Sequence, residues 1–235
     1  VHGKDGTFRP QPIKADGLKM DDAVGLAMVG LDDKGAAGVL VSTSKWPVLV
    51  AGGKATPVGS GEMPIPELPE KLTKRGWKQV ASPCVVADLD GDALPDLLQL
   101  YSIGGFFYKG TALGKWAAPK LRPNLAAGST PRSAPTTADL DSDGRLEVIV
   151  SSEDEYKLRM WYNLGKGQFT EFRRFSGEIA YISEHGGIDL AAGDINNDGR
   201  QDVLIGYHRR APQLFFNRGF HSFGHAHDLD LGEQK

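Results

Sequence analysis

The chain has 235 residues, 40% hydrophobic and 24% charged, with a formal net charge of −3. That length admits one domain; the weak net field does not suit a nucleic-acid partner, and no basic stripe interleaved with aromatics appears. No 18-residue apolar span fits a membrane crossing, and the single cysteine, Cys84, excludes an intrachain disulfide.

In chain order, residues 1–13 carry Gly6-Thr-Phe8 and read as the terminal strand of a preceding unit. Residues 14–68 read as a degenerate repeat. Its first strand lies near Leu26, and an acidic turn, Gly30-Leu-Asp32-Asp33-Lys34-Gly35-Ala-Ala-Gly38, precedes Val39-Leu40-Val41. Gly61-Glu-Met63 follows. Leu68–Trp77 comes nearest to an amphipathic helix, but its glycine and flanking prolines weaken it. Cys84 sits in an apolar strand and reads as a small buried hydrophobe.

Three units follow, over 69–121, 122–175 and 176–230. Each carries a carboxylate-rich loop: Asp88-Leu-Asp90-Gly-Asp92-Ala-Leu-Pro-Asp96, Asp139-Leu-Asp141-Ser-Asp143-Gly-Arg-Leu-Glu147, and Asp194-Ile-Asn196-Asn-Asp198-Gly-Arg-Gln-Asp202. The loops recur 51 and 55 residues apart. Oxygen side chains stand at positions 1, 3, 5 and 9 of each. So many carboxylates in nine residues repel one another unless a cation sits among them. Hard oxygen donors without His or Cys select Ca²⁺, with Mg²⁺ and Mn²⁺ as alternatives. About three Ca²⁺ ions are expected, which turns the formal charge of −3 to roughly +3 when they are bound.

The first five positions match an EF-hand loop, but the last acid falls at position 9 rather than 12. The flanks are short apolar runs of strand length, such as Val85-Val86-Ala87 and Leu97-Leu98-Gln99-Leu100, so each loop joins adjacent strands. Side chains at positions 1, 3 and 5 (Asp88, Asp90, Asp92; Asp139, Asp141, Asp143; Asp194, Asn196, Asp198) are expected to point inward. The carbonyls at position 7 (Leu94, Arg145, Arg200) turn to the metal, and the acids at position 9 (Asp96, Glu147, Asp202) close the shell through both oxygens. Gly144 and Gly199 supply positive φ at position 6, whereas the first of these loops has Gly91 at position 4, so its backbone path is expected to differ. Asn196 weakens the third site. The turn at Gly30–Gly38 lacks three of the four ligand positions and carries Lys34, so it is expected to be metal-free.

A second landmark, glycine two residues before an aromatic or Met, recurs at Phe8, Met63, Trp116, Phe169 and, without its glycine, at Phe223. The intervals are 55, 53, 53 and 54 residues. Each unit reads as four short strands, in the third complete unit Ala134–Ala138, Glu147–Ser151, Leu158–Tyr162 and Gln168–Phe172. The predicted fold class is therefore all-β, a β-propeller built from blades of about 54 residues. Fourth strands are expected near Trp116 and Phe223. First strands number four and fourth strands five, so the chain reads as a segment of a larger propeller or as one completed by another chain. A closed four-bladed ring with a displaced tail is the alternative.

The acidic loop, paired downstream with Asn163-Leu-Gly165-Lys-Gly167-Gln-Phe169 and Asn217-Arg-Gly219-Phe-His-Ser-Phe223, resembles the FG-GAP/VCBS repeats of integrin α-subunit heads and secreted bacterial proteins. The resemblance implies that calcium braces the loop between the first and second strands of a blade, away from the partner-binding face. Calcium loops with no disulfide suggest an extracellular or periplasmic, bacterial setting. The absence of a signal peptide and initiator Met suggests a processed or truncated chain.

A ligand is expected on the face opposite the loops, where Trp46, Trp77, Glu153, Glu155, Tyr156, Tyr207, Arg209 and Arg210 lie. No nucleophile motif appears, so the function read here is a non-catalytic binding or scaffold module for a protein or glycan. Alternatives are a structural subunit of an extracellular assembly, and a polysaccharide lyase using Tyr181, His185 and His208. His221, His225 and His227 form a further cluster whose i, i+2 pair has a spacing that holds Zn²⁺ or Cu²⁺.

Overall fold

The structure is a computed structural model that describes residues 23–59, 65–127, 135–152, 157–171, 187–207, 210–219, 222–224 and 227–229. These residues form an all-β chain. The first sheet runs β1 (Ala23–Gly30), β2 (Ala37–Thr43), β3 (Val48–Ala51) and β4 (Lys54–Pro57), paired in sequence order. A four-residue helix, α1 (Glu70–Thr73), follows Pro69. The second sheet pairs β5 (Val85–Ala87), β6 (Asp96–Leu100) and β7 (Gly105–Tyr108). A two-stranded ribbon, β8 (Gly110–Ala112) with β9 (Lys115–Trp116), then leads to the edge strand β10 (Lys120–Arg122).

The third sheet comprises β11 (Thr136–Ala138), β12 (Glu147–Ser152), β13 (Lys157–Gly165) and β14 (Gln168–Glu171). The fourth repeats the second, with β15 (Gly187–Gly193), β16 (Asp202–Tyr207), β17 (Arg210–Phe215), a ribbon of β18 (Asn217–Gly219) and β19 (Ser222–Phe223), and the edge strand β20 (His227–Asp228). All pairings within the four sheets are antiparallel.

The inner strands are continuous apolar runs because both of their faces are covered. On β6, Leu97 packs with Val29 and Leu40 of the first sheet, while Leu98 packs with Val148 and Trp161 of the third. On β12, Val148 and Val150 face the second sheet while Ile149 joins Leu190, Val203 and Phe215 of the fourth. The sheets therefore stack in chain order, each consecutive pair enclosing its own core.

Polar contacts register these junctions. The Cys84 N–H donates to Ser42 Oγ at 2.8 Å, Gln99 Nε2 donates to the Thr43 carbonyl at 2.9 Å, and the Tyr101 hydroxyl donates to the Lys45 carbonyl. Between the second and third sheets, Arg122 Nε donates to the Gly167 carbonyl at 2.7 Å and its guanidinium lies 5.6 Å from the Phe107 ring centroid. Gly167 has φ 65° and a Cβ there would lie 2.5 Å from that ring, so only glycine lets the β13–β14 turn approach so closely.

The expected fourth strands need correction. Trp116 and Phe223 lie on the ribbon strands β9 and β19, and the outer strands are β10 and β20. Phe169 alone of the three lies on an outer strand, because β13 runs on through a bulge between Asn163 and Gly165 into its hairpin with β14. The aromatic period marks one conserved-geometry pairing, Gly110 with Trp116, Asn163 with Phe169 and Asn217 with Phe223, and not the sheet edge. In the first sheet the outer strand is β4, and Phe8 and Met63 lie outside the described residues.

Candidate metal centres

Each acidic loop joins the first and second strands of its sheet: β5 to β6, β11 to β12, and β15 to β16. The position-1 aspartates fold the loops by accepting main-chain N–H groups. Asp88 accepts from Gly91 at 2.8 Å and Ala93 at 2.8 Å; Asp139 accepts from Asp143 and Gly144, both at 3.0 Å; Asp194 accepts from Asp198 at 3.0 Å and Gly199 at 2.9 Å. The position-5 acids in turn accept the N–H of position 7, from Leu94 at 3.0 Å, Arg145 at 2.8 Å and Arg200 at 2.9 Å.

All three loops follow one backbone path. Positions 4 and 6 both have positive φ: Gly91 84° and Ala93 67°, Ser142 62° and Gly144 84°, Asn197 57° and Gly199 85°. The expected divergence of the loop after β5 is therefore corrected. That loop exchanges the places of glycine and non-glycine residue, leaving alanine in the left-handed region.

The position-9 acids are buried at the base, with Asp96 and Asp202 0% and Glu147 1% exposed. They accept the N–H of position 2, from Leu89 at 2.9 Å, Leu140 at 2.8 Å and Ile195 at 3.0 Å. Asp96 and Asp202 also accept on their other oxygen, from the N–H groups of Gly110 at 2.7 Å and Asn217 at 2.9 Å. Both oxygens of these two acids thus have protein donors, which leaves less freedom for closing a metal shell through both.

Carboxylate oxygens of Asp88, Asp90 and Asp96 lie within 4.8 Å of one another, as do those of Asp139, Asp141 and Glu147. The position-5 acids turn partly toward cations: Asp92 Oδ2 accepts from Lys109 Nζ at 2.6 Å, Asp143 Oδ2 from Arg145 Nε at 3.0 Å, and Asp198 Oδ2 from Arg200 at 3.1 Å. In the third loop Asn196 Nδ2 also donates to Asp198 Oδ2 at 3.1 Å. In the degenerate turn, Asp32 Oδ1 accepts from the N–H groups of Lys34 at 3.0 Å and Ala36 at 2.9 Å.

Crowding shows in the ionisation. Burial first, then the charges of Asp141, Asp143 and Asp139, push the Glu147 carboxyl up to about 7. Burial likewise raises Asp96, reinforced by Asp90 and Asp92. Asp92 itself is lowered, chiefly by its hydrogen bond from Lys109.

These residues fit a hard divalent ion. The Asp90 side chain is 8% exposed, and its Oδ1 is buried with no hydrogen-bond donor. An anionic oxygen in that state is unfavourable unless a cation reaches it. Asp88, Asp90 and Asp96 would hold one ion and Asp139, Asp141 and Glu147 another. Their all-oxygen donor set matches calcium chemistry, with no nitrogen or sulfur to favour zinc or copper.

Two kinds of residue at these centres were not assigned a role from sequence. Asn163 Nδ2 donates to the carbonyl of Leu89, at position 2 of the preceding loop, at 2.9 Å, and to Leu146 at 3.2 Å. Its Oδ1 accepts from the Gly165 N–H at 2.9 Å. Asn217 repeats the set on Leu140 at 2.8 Å, Gln201 at 3.1 Å and Gly219 at 2.8 Å. Their 54-residue interval was the available signal. Lys109, the second kind, had none, since it lies 17 residues beyond Asp92.

The expected ligand face is partly described. The β2–β3 turn with half-buried Trp46 and the segment carrying half-buried Trp77 lie at the strand ends opposite the acidic loops. They are tied to the β6–β7 turn by Tyr101 to Lys45 and by Ser102 Oγ to the Lys78 carbonyl at 2.9 Å. Tyr207 is corrected. It is 6% exposed within the core of the third and fourth sheets, and its hydroxyl donates to Gln213 at 2.9 Å. Arg210 begins β17, where its backbone pairs with Tyr207. Glu153, Glu155, Tyr156 and Arg209 lie outside the described residues, as do Tyr181, His185 and His208 of the lyase alternative. Of the histidine cluster, His221 and His225 also lie outside them, and exposed His227 on β20 has its ring 5.2 Å from Phe216.

Repeated four-stranded antiparallel sheets with acidic first-to-second-strand loops define a class of all-β repeat proteins. The FG-GAP-like repeat family matches residues 88–150 and 139–205, together half of the chain, and the chain belongs to that family. No curated protein sequence matches the chain. Among solved structures, it resembles a lectin of Agrocybe aegerita, described as recognising non-reducing terminal N-acetylglucosamine, with TM-score 0.57 and 13% identity over 91% of this chain and 56% of the lectin. The chain thus spans about half the length of that lectin. The Tc holotoxin pore of Photorhabdus luminescens aligns with TM-score 0.46 and 18% identity, over 95% of this chain and 10% of the toxin chain.

Proposed function

We propose that the chain is a calcium-braced array of β-propeller blades that serves as a non-catalytic binding module of a secreted protein, with a glycan as its ligand. The observation carrying the metal reading is the pair of acidic clusters whose buried oxygens, Asp90 Oδ1 above all, suit a hard cation. Calcium would neutralise each cluster and fix the loop between the first two strands of its sheet. The weak affinity typical of exposed loops suits the calcium-rich extracellular space. The binding face lies at the opposite strand ends, where Trp46 and Trp77 offer flat apolar surface for sugar rings. The lectin neighbour favours a glycan over a protein ligand, although the likeness itself concerns fold.

Two measurements test this. Calcium should raise the unfolding midpoint and EDTA should lower it, with Asp141→Ala removing one binding event in calorimetric titration and leaving the others. A glycan array probed with the chain should give hits that Trp46→Ala and Trp77→Ala weaken. Midpoints indifferent to calcium would end the metal reading, and glycan hits untouched by both tryptophan changes would move the ligand elsewhere.

A further inference from the structure

The loop after β5 has a cation held on its position-3 acid. Lys109, between β7 and β8, brings its ammonium onto Asp90 Oδ2 and, at 2.6 Å, onto Asp92 Oδ2. It stands one residue before Gly110, the partner of Trp116. The corresponding residues before Asn163 and Asn217 are Tyr162 and Phe216, which carry no positive charge. Arg145 and Arg200 reach the position-5 acids of their own loops from position 7, at the rim. Lys109 instead enters from a neighbouring strand end and touches position 3, whose side chain is 8% exposed and whose second oxygen is the buried unpartnered one.

We propose that Lys109 is a built-in counter-ion of this loop, holding it folded when no divalent ion is bound and competing with the ion for Asp90. This rests on the reading of the loops as cation sites. The ammonium satisfies one oxygen of Asp90 and leaves the other for a metal. A divalent ion bridging Asp88, Asp90 and Asp96 must therefore accept a positive charge a few ångströms away or displace it. Lys109 is 45% exposed, so it has room to swing into solvent when displaced. The loop after β5 accordingly keeps its shape in metal-free protein and takes calcium more weakly than it would without the ammonium.

The test compares wild type, Lys109→Met and Lys109→Arg by amide-resolved NMR. In EDTA, the N–H groups of Gly91, Asp92 and Ala93, all donated to Asp88, should exchange about fivefold or more faster in Lys109→Met. Those of Asp143 and Gly144 should not change. On titration with calcium chloride, the Gly91 and Ala93 resonances should report binding about tenfold tighter in Lys109→Met than in wild type. Lys109→Arg, which keeps the charge, should behave as wild type. Unchanged exchange at Gly91–Ala93 overturns the counter-ion role, and unchanged or weaker calcium binding there overturns the competition. If no variant binds calcium at any loop, the metal reading and the competition fall together, while the EDTA exchange still decides the counter-ion role.

Discussion

Glu147→Gln separates the repulsion in an acidic cage from the use of that cage. Glu147 is 1% exposed, its Oε2 accepts the Leu140 N–H at 2.8 Å, and its oxygen lies within 4.8 Å of those of Asp139 and Asp141. Burial, then Asp141, Asp143 and Asp139, raise its carboxyl from 4.5 to about 7. Below pH 4.5 the group is neutral whether the chain is folded or not. As pH climbs toward 7 the unfolded chain releases the proton while the folded one retains it, so metal-free stability falls across that window and stays low above it. The distance between the two values corresponds to about 3 kcal/mol. Glutamine keeps an acceptor for Leu140 and loses the charge. In EDTA at pH 8 the variant should gain up to about 3 kcal/mol, and its stability should decline less than that of wild type between pH 4.5 and 7. In saturating calcium the order should reverse, because an anionic ligand has gone. Urea denaturation at pH 5 and pH 8, with EDTA and with calcium, reads all four values. A metal-free variant less stable than wild type at pH 8 would refute the argument.

Asn163→Leu should destabilise by about 3 kcal/mol, since it strands the buried Leu89 carbonyl together with the part-buried Leu146 carbonyl and Gly165 N–H; a loss below about 1 kcal/mol in urea would show the clasp to be dispensable. Ala93→Gly relieves a left-handed alanine at φ 67° and, after the entropy of glycine is set against it, should raise stability by about 0.5 kcal/mol; a lowered melting midpoint would contradict the shared loop path. Cys84, 9% exposed with its thiol pushed up to about 12 by burial, should resist a thiol reagent at pH 8 until the chain unfolds, so rapid labelling of native protein would place it wrongly.

The repeat, the four-stranded unit and the acidic loops were all legible because they are local: turn chemistry, strand-length apolar runs and a fixed interval in a one-dimensional text. The strands of the third sheet fall within a few residues of the expected ones, since Glu147 and Gln168 are set by the turns before them. What escaped depends on contacts across the chain. Trp116 and Phe223 keep the period but leave the edge, because ribbons that fold off β7 and β17 satisfy the same pairing as the β13–β14 hairpin. Tyr207 looked like a loop aromatic, yet one more strand residue carries it under the neighbouring sheet. Lys109 meets Asp90 only once β7 is laid beside β6, and no spacing within the loop announces it.

Asn163 and Asn217 both reach back along the chain: the third sheet finishes the acidic loop of the second, and the fourth that of the third. A sheet cut away from its successor therefore loses the side chain that latches its loop. Shuffling or truncating such arrays between 121 and 136 would leave Leu89 bare and its loop unlatched, whereas a cut that keeps Asn163 with its predecessor would preserve a finished module.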